Sequence, residues 1–353
     1  MDEAPSPGME GYGMRNSKNG SGSYLAPAGV LMIAICCILM RGSVPGASFL
    51  RALKVYAAQT GSGETRTGGA YEPVLEELKI TIPGMEETRT LLWISDMHIV
   101  SGPEDPDVTD EHKEEVAQRC EMYRSASGLS SCETWDLLSR QIDSFGADYV
   151  IFGADMIDYA SGENLQRLQE GLKSLQTPWM YLRADHDYGR WYGRMKRKKM
   201  RRLHREIAPQ NHLWTERFES FTLAGLDNTT TAIDPKTLED FRDLCAEGRP
   251  IILCTHVPLD TGSEDALRLE QLSREGWGGR VLCWGDGDTY DTSQGGTMKE
   301  LLEIICAPDS PVCAVLAGHL HLTWDGALTD TCAGHVFSAS YEDRIGVITV
   351  TGG

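Results

Sequence analysis

The chain has 353 residues, a hydrophobic fraction of 41% and a formal net charge of −19 at pH 7. This length and apolar content allow a sizeable core in one large domain with appendages, or in two small domains. The acidic balance argues against a general nucleic-acid binder, because contact with phosphates needs clustered cations. It does not exclude a small anionic substrate that metals hold.

The N-terminal part predicts a tail, a membrane segment and a tether. Residues 1–23 are rich in Gly, Ser and Pro, which predicts disorder. Residues 24–41 contain the uncharged apolar run LAPAGVLMIAICCILM, which predicts a single-pass transmembrane or signal-anchor segment. Small residues follow it, so a cleaved signal peptide is the alternative. Residues 42–74 are rich in Gly, Ser and Thr and predict a flexible tether.

The side of the membrane is weakly encoded, because Lys and Arg lie both before and after the apolar run. We expect the bulk of the chain to be extracytoplasmic.

From about residue 75 strands alternate with helices, which predicts one α/β domain over residues 75–353. The predicted strands are Leu78–Ile82, Thr90–Ser95, Tyr149–Gly153, Trp179–Arg183, Ser220–Leu226, Pro250–Thr255, Cys313–Gly318, Val336–Ser340 and Arg344–Thr351. The predicted helices are Glu111–Tyr123, Glu133–Phe145, Asn164–Leu175, Pro235–Ala246, Glu264–Arg274 and Gly296–Cys306. The ten cysteines form no CxxC pair, so we expect mostly free, buried thiols.

Five short polar patches each follow a predicted strand. They are Asp96-Met97-His98, Gly153-Ala154-Asp155-Met156-Ile157-Asp158, Ala184-Asp185-His186-Asp187, Thr255-His256 and Gly318-His319-Leu320-His321. Five of the nine histidines of the chain fall in these patches. An α/β sheet places its ligand sites at the carboxyl ends of its strands, so the patches predict one common site.

The residue types in these patches suit a two-metal hydrolytic site. Imidazole nitrogen and carboxylate oxygen bind first-row metals well, and one carboxylate between two cations can bridge them. Two neighbouring metals can bind a phosphoryl oxygen and lower the pKa of a shared water.

Together the patches resemble the calcineurin-like metallophosphoesterase superfamily, whose pattern is D-x-H, G-D-x-x-D, G-N-H-[DE], a separate H and G-H-x-H. The resemblance covers about residues 88–325, and the sequence is most similar to the membrane-associated bacterial branch. It implies a four-layer α/β/β/α sandwich with two divalent metal ions at one edge. Mn, Fe, Zn, Ni and Co all suit such ligands.

Transferred position by position, the resemblance implies a ligand set for each metal. The first metal would be bound by Asp96, His98, Asp155 and His321. Asp155 would bridge to the second metal, which Asp185, His256 and His319 would complete. His186 would assist the leaving-group oxygen, and Asp158 would orient His186.

The sequence departs from the family pattern at two places. Ala154 stands where the family has the glycine of G-D, with Gly153 one position earlier. Asp185 replaces the family asparagine and adds a negative charge, which keeps an oxygen ligand but allows altered metal preference or loss of turnover. Ala184 replaces the glycine before it and implies a slightly different turn.

Residues 190–205 hold nine Lys or Arg and no acidic residue. This stretch predicts an electropositive rim for an anionic substrate or for lipid headgroups. A solvated basic helix that balances acidic neighbours is the alternative. Arg190 and Arg194 are the predicted substrate-binding residues.

The sequence therefore predicts a membrane-anchored, monomeric phosphoesterase in which a metal-bridging hydroxide attacks a phosphodiester, whose other parts are lipid- or nucleotide-linked. A phosphomonoesterase is the first alternative. A serine/threonine phosphatase is disfavoured, since its D-R-G continuation is replaced by Asp158-Tyr159-Ala160. A weakly catalytic metal- or phosphate-binding module and a membrane-tethered scaffold are the others, and no specific nucleic-acid partner is expected.

Overall fold

The computed structural model describes residues 71–208, 213–229, 233–277 and 296–353. The predicted tail, apolar segment and nearly all of the tether lie outside this range. Among the described residues, no helix is both long enough and apolar enough to cross a membrane. The described part begins just before the first strand, at Val74.

Eleven strands of the described residues form two sheets. The strands are β1 Val74–Thr81, β2 Arg89–Ile94, β3 Tyr149–Gly153, β4 Trp179–Leu182, β5 Leu213–Arg217, β6 Thr222–Leu226, β7 Ile251–Cys254, β8 Val312–Ala317, β9 Trp324–Ala327, β10 Ala333–Val336 and β11 Arg344–Thr351. The first sheet has the order β1-β11-β2-β3-β4, and the second has the order β5-β6-β7-β8-β10-β9. Only β11–β2, β5–β6 and β9–β10 pair antiparallel; the remaining neighbours are parallel.

Helices flank the sheets. They are α1 Lys113–Met122, α2 Ser131–Leu138, α3 Gly162–Ser174, α4 Asp185–Tyr188, α5 Arg197–Ile207, α6 Pro235–Ala246, α7 Glu264–Trp277 and α8 Gly296–Cys306. Short 3-10 helices lie at Asp110–His112, Ile142–Phe145 and Ser340–Glu342.

Three apolar clusters separate four layers, as the sequence predicts. One cluster packs the first sheet against α1, α2, α3 and α5, and another packs the second sheet against α6, α7 and α8. The third lies between the sheets and joins Leu91 and Trp93 of β2 to Leu223 of β6 and Ile252 of β7. The order is therefore helices, sheet, sheet, helices, and the strand ends of both sheets can share one edge.

Some predicted elements are wrong in detail. The predicted helix Glu133–Phe145 ends at Leu138 in the structure, and a 3-10 helix follows at Ile142–Phe145. The apolar periodicity continues across the turn between the two helices, because Trp135, Leu138 and Ile142 are all buried. The pattern therefore resembles that of one long helix. The predicted strand Val336–Ser340 lies at Ala333–Val336 instead.

Two strands have no counterpart in the prediction, namely β5 and β9, which are the two edges of the second sheet. Both expose part of their residues to solvent, so neither shows the buried apolar run that marks an inner strand. The seven described cysteines are free thiols, as expected, but only Cys254 and Cys332 are fully buried and Cys306 is exposed.

Candidate metal centre

The five polar patches follow β2, β3, β4, β7 and β8 directly, and backbone hydrogen bonds join them. His98 N–H donates to the carbonyl of Asp155 at 2.9 Å, and Gly318 N–H donates to the carbonyl of His256 at 3.1 Å. The backbone N–H of His319 donates to both carboxylate oxygens of Asp96 at 3.1 Å. These bonds place the patches of both sheets at one edge.

The backbone of the patches has an uncommon conformation. Of seven described non-glycine residues with positive φ, six lie in the patches: Asp96, His98, Ala154, Asp155, His319 and His321, with φ between 44° and 75°. Asp and His adopt this left-handed region more readily than most residues, at a cost of roughly 1–2 kcal/mol each. The bends aim neighbouring side chains to one side of the sheet edge.

A first group of potential metal-binding atoms consists of Asp96, His98 and His321, whose ligand atoms lie within 4.8 Å of one another. The Asp96 Oδ1 to His321 Nε2 distance is 3.3 Å, and the two Nε2 atoms of His98 and His321 are 3.2 Å apart. Burial tends to raise the pKa of Asp96, but the hydrogen bond with His321 and the charge of His256 lower it to about 2. The carboxylate is therefore ionised and ready to bind a cation.

A second group consists of Asp155, His256 and His319. Asp155 Oδ2 lies 3.1 Å from His256 Nε2, and His256 Nδ1 lies 2.8 Å from the carbonyl of Gly153. Burial lowers the pKa of His319 to about 3, so its ring is neutral, as a metal ligand must be. Each group contains three of the four ligands that the resemblance implies for its metal; Asp155 is missing from the first group and Asp185 from the second.

Asp155 also belongs to a third group with Asp185 and His186. Its carboxylate thus takes part in the second and third groups, and its Oδ2 lies 4.0 Å from His98 Nε2 of the first. This central position is the one that a bridging carboxylate needs.

The donor set fits divalent metal ions. Asp155 Oδ1 and His256 Nε2 are buried and have no hydrogen-bond partner, although buried polar atoms are almost always satisfied. Carboxylate oxygens and imidazole nitrogens are what first-row metals prefer. The residue groups therefore fit divalent ions, whose identity the donors do not fix.

Asp158 connects a predicted ligand to the predicted catalytic histidine. Its Oδ1 lies 3.2 Å from His186 Nδ1 and 3.5 Å from His98 Nδ1, and the same His186 atom is 2.8 Å from the carbonyl of Asp158. His186 Nδ1–H therefore faces Asp158, which leaves Nε2 as the atom that can reach a substrate. The structure thus brings together the pair that the sequence predicts.

The two histidines that share Asp158 differ in charge. Burial opposes protonation of His186, but Asp155 and Asp158 raise its pKa to about 10. Burial lowers the pKa of His98 to about 4, because the nearby His186 and His321 offset much of the help from Asp158. His98 is thus neutral and can bind a metal, whereas His186 is positively charged at neutral pH.

Arg119 and Tyr123 of α1 are site residues that the sequence did not reveal. The Arg119 guanidinium donates two hydrogen bonds to Asp158, at 3.0 and 2.5 Å, and a third to Tyr123 Oη. The Tyr123 ring stacks on His98 at 4.2 Å between ring centroids. Burial tends to raise the pKa of Asp158, but hydrogen bonds with His186, His98 and Arg119 hold it well below the usual range.

Asp187 is a second residue whose role the sequence left open. It is buried and accepts hydrogen bonds from the backbone N–H groups of Asp155, Met156 and Ala184 and from Tyr181 Oη. It therefore ties the patch after β3 to the patch after β4. Its signal in the sequence is the acidic position directly after His186.

Alanine replaces two of the family glycines, and only Ala184 does so without backbone strain. A Cβ on Gly153 would lie 2.3 Å from the Trp93 ring, so this position requires glycine for packing. Ala154 adopts φ +75°, which a glycine would accept without strain. Ala184 has φ −128°, which any residue adopts, so the family glycine is dispensable there.

Arg190 and Arg194 do not join the donor groups. Arg190 Nη1 donates to the carbonyl of Met195 at 3.3 Å, and the Arg194 backbone N–H donates to the carbonyl of Asp107. Both residues are exposed. Between them Trp191 is 44% exposed, and its ring meets His186 edge-on at 4.8 Å.

Comparison with known proteins gives one family match. The sequence pattern of the calcineurin-like phosphoesterase family matches residues 89–322. No curated protein matches the chain.

The solved structures that match the chain have low sequence identity. A dimetal phosphatase from Danio rerio is 11% identical over 72% of this chain and 88% of that one, with a TM-score of 0.48. A phosphopantetheinyl hydrolase from Mycobacterium tuberculosis is 12% identical over 72% and 90%, with a TM-score of 0.35. A 5′-nucleotidase from Candida albicans is 11% identical over 72% and 46%, with a TM-score of 0.36.

Proposed function

The chain belongs to the calcineurin-like phosphoesterase family and is a metal-dependent phosphoesterase, and from that premise we propose that it hydrolyses phosphodiesters. The observation that carries this choice is the open rim beside His186. Trp191 offers an exposed apolar surface against the His186 ring, and the exposed Arg190 and Arg194 flank it in the chain. A diester carries two organic arms, and this rim gives one of them a surface to contact.

The residues of the chain divide the work. Asp96, His98, Asp155 and His321 would hold one ion, and Asp155, Asp185, His256 and His319 would hold the other. When bound, the two ions supply positive charge to the phosphoryl oxygens and a water of lowered pKa. The metal identity is open among Mn, Fe, Zn, Ni and Co.

His186 is the proposed proton donor to the leaving oxygen. Its Nδ1–H is fixed by Asp158, so the proton on Nε2 is the one available to the substrate. Asp158 in turn is held ionised by Arg119. A positioned acid matters most where the leaving group is a poor one, such as an alkoxide.

We also propose that the apolar segment at residues 24–41 anchors the chain, with the catalytic domain extracytoplasmic, as in the membrane-associated bacterial branch of the family. A cleaved signal peptide is the alternative, and the enzyme is proposed to act as a monomer. Fractionation of cells followed by N-terminal sequencing of the membrane-bound protein separates the two: an intact residue 24–41 segment supports the anchor, and a new N-terminus after it rejects it.

The decisive experiment compares the full chain with His186→Ala and Asp185→Asn after removal and re-addition of each metal. The substrates are bis(p-nitrophenyl) phosphate and p-nitrophenyl phosphate. Metal-dependent diester turnover that exceeds monoester turnover supports the proposal, and His186→Ala should lower it less than it lowers turnover of an alkyl diester, whose leaving oxygen needs a proton. Faster monoester turnover would make the protein a phosphomonoesterase. A silent wild type with an active Asp185→Asn would make it a metal- or phosphate-binding module whose turnover Asp185 abolishes.

A further inference from the structure

Helix α5 has one apolar face and one strongly basic face. Met200, His204 and Ile207 are buried against the first helical layer. At 100° per residue, the cations lie on an arc of about 140° on the other side of the helix. They are Arg197, Lys198, Arg201, Arg202 and Arg205, and all five are exposed. We call this arc the basic face.

Most of the basic face lacks an acidic partner. Arg202 lies 3.8 Å from Glu206, one turn further along. Among the described residues, no carboxylate lies within ion-pair distance of Arg197, Lys198, Arg201 or Arg205. The pattern is unexpected in a chain with a net charge of −19, where acidic groups are abundant. A solvated helix that merely balances its neighbours would show such pairs, so the basic face points to an external anion.

The basic face lies close to the candidate metal centre. On the buried side of α5, His204 Nε2 is 2.6 Å from the carbonyl of Asp187, and the His204 and Tyr188 rings are 5.1 Å apart. The helix thus packs on the segment that carries His186. The connection from that segment to α5 exposes Trp191.

We propose that the basic face docks onto an anionic phospholipid surface. An exposed tryptophan next to a cationic helix is suited to a lipid interface, where the indole lies among the headgroups. The uncharged apolar run at residues 25–40 is a second feature of this chain that suits a membrane. The densest run of cations lies on and just before one helix, whereas the acidic remainder would repel an extended nucleic acid.

The docking is electrostatic and local. Each Lys or Arg close to an anionic membrane strengthens binding about fivefold, and the attraction fades within roughly 10 Å at physiological salt. The inference concerns a surface outside the donor groups, so it holds whether or not the phosphodiester proposal does. Where both hold, the docked helix brings the metal centre next to phosphoesters of the membrane.

The test uses the full chain with vesicles of phosphatidylcholine, alone or with one third phosphatidylglycerol. The readouts are co-sedimentation and the rate of trypsin cleavage after residues 196–205. The combined variant Arg197→Gln, Lys198→Gln, Arg201→Gln and Arg205→Gln is compared with a matched control, Lys79→Gln, Arg140→Gln, Lys173→Gln and Lys299→Gln. The control removes four exposed cations from other elements, and circular dichroism checks that both variants fold.

We expect the anionic vesicles to slow cleavage of the wild type and of the control by about tenfold or more. We expect neutral vesicles to give no such protection, and high salt to abolish it. The quadruple α5 variant should lose at least about tenfold in its charge-dependent co-sedimentation. Trypsin cleavage measures the protection of α5 itself. It therefore distinguishes anionic from neutral vesicles even if the apolar run binds to both kinds.

Three results would overturn the proposal. The first is equal cleavage of the wild type with neutral and anionic vesicles. The second is an equal loss of binding in the α5 variant and in the control, which would make net charge rather than the basic face responsible. The third is protection by a single-stranded oligonucleotide without protection by anionic vesicles, which would identify a nucleic acid as the partner.

Discussion

The two sheets contribute different chemistry to the same edge. The patches after the first sheet supply all the acidic site residues together with two histidines: Asp96, Asp155, Asp158, Asp185, His98 and His186. The patches after the second sheet supply only imidazoles: His256, His319 and His321. Neither sheet alone supplies a complete first or second group. The first group needs His321 from the second sheet, and the second group needs His256 and His319 from it. The site therefore exists only where the two sheets pack.

The contacts across this boundary show how the halves complement each other. His256 faces Asp155 at 3.1 Å, and His321 faces Asp96 at 3.3 Å. Burial works against protonation of His256, but Asp155 and Asp96 raise its pKa to about 10. A proton on His256 therefore balances the charge of these two carboxylates, and a bound metal would displace it.

We expect the largest effect from replacement of Asp155, because this carboxylate lies at the centre of the contacts between the two sheets. Asp155→Asn removes the charge that both metals and His256 share, while the shape is kept. We expect kcat/KM to fall about a thousandfold or more, since a bound ion stabilises the transition state by several kcal/mol. Metal content by elemental analysis should fall in parallel. Full activity with two retained ions would exclude Asp155 as the bridge.

Replacement of His186 tests the proposed proton donor, which the first sheet supplies, without changing the contacts between the two sheets. His186→Ala should lower kcat about a hundred- to a thousandfold, the usual contribution of a positioned acid or base. Metal content should not change. An ester with a p-nitrophenolate leaving group should be affected less than an alkyl ester, because it needs no proton. Equal losses on both esters would contradict proton donation.

Arg119 extends the first half of the site to α1. We expect Arg119→Gln to lower kcat about ten- to a hundredfold, since Asp158 would lose its paired cation and hold His186 less firmly. The acidic limb of the pH–rate profile should shift upwards as the pKa of Asp158 rises. Arg124→Gln is the matched control, because Arg124 pairs with Glu121 at the surface. An unchanged pH profile in Arg119→Gln would leave only a packing role.

We expect the smallest effect from His204, a buried residue outside the donor groups that packs α5 against the segment carrying His186. Burial lowers the pKa of His204 to about 4, so the folded protein holds this ring neutral. Because the unfolded chain binds its proton near pH 6.5, stability should fall as the pH drops from about 6.5 towards 4. The loss attributable to His204 is about 1 kcal/mol near pH 6.

Urea unfolding at several pH values, compared between wild type and His204→Gln, measures that share. His204→Gln keeps an N–H donor for the carbonyl of Asp187 but does not titrate. The variant should therefore lose less stability than the wild type between about pH 7 and 5. Parallel curves for the two proteins would assign the acid sensitivity to other groups.

The sequence was sufficient to predict most strands and the position of the site. Inner parallel strands are buried on both faces, so they appear as apolar runs, and polar residues such as Asp96 and His256 directly after such runs mark the sheet edge. The edge strands β5 and β9 lack that signal because solvent covers one side of them. The roles of the ligands themselves remain predictions that metal analysis must test.

Arg119 escaped prediction for a different reason. It lies 39 residues before Asp158, on a helix whose sequence resembles that of any polar surface helix. Its meaning comes entirely from a contact that folding creates. Asp187 differs, because its acidic position directly after His186 is visible in the sequence, but its hydrogen bonds to residues 30 or more positions away are not.

The position of β11 in the first sheet has a consequence for biosynthesis. Of the described strands, β11 leaves the ribosome last, yet it lies between β1 and β2 and pairs with both. At about 5–20 residues per second, β1 waits many seconds for its only neighbour in the sheet. During that time the apolar side chains of Ile80 and Ile82 lack their native cover. The nascent chain therefore keeps this apolar edge uncovered until β11 has left the ribosome and paired.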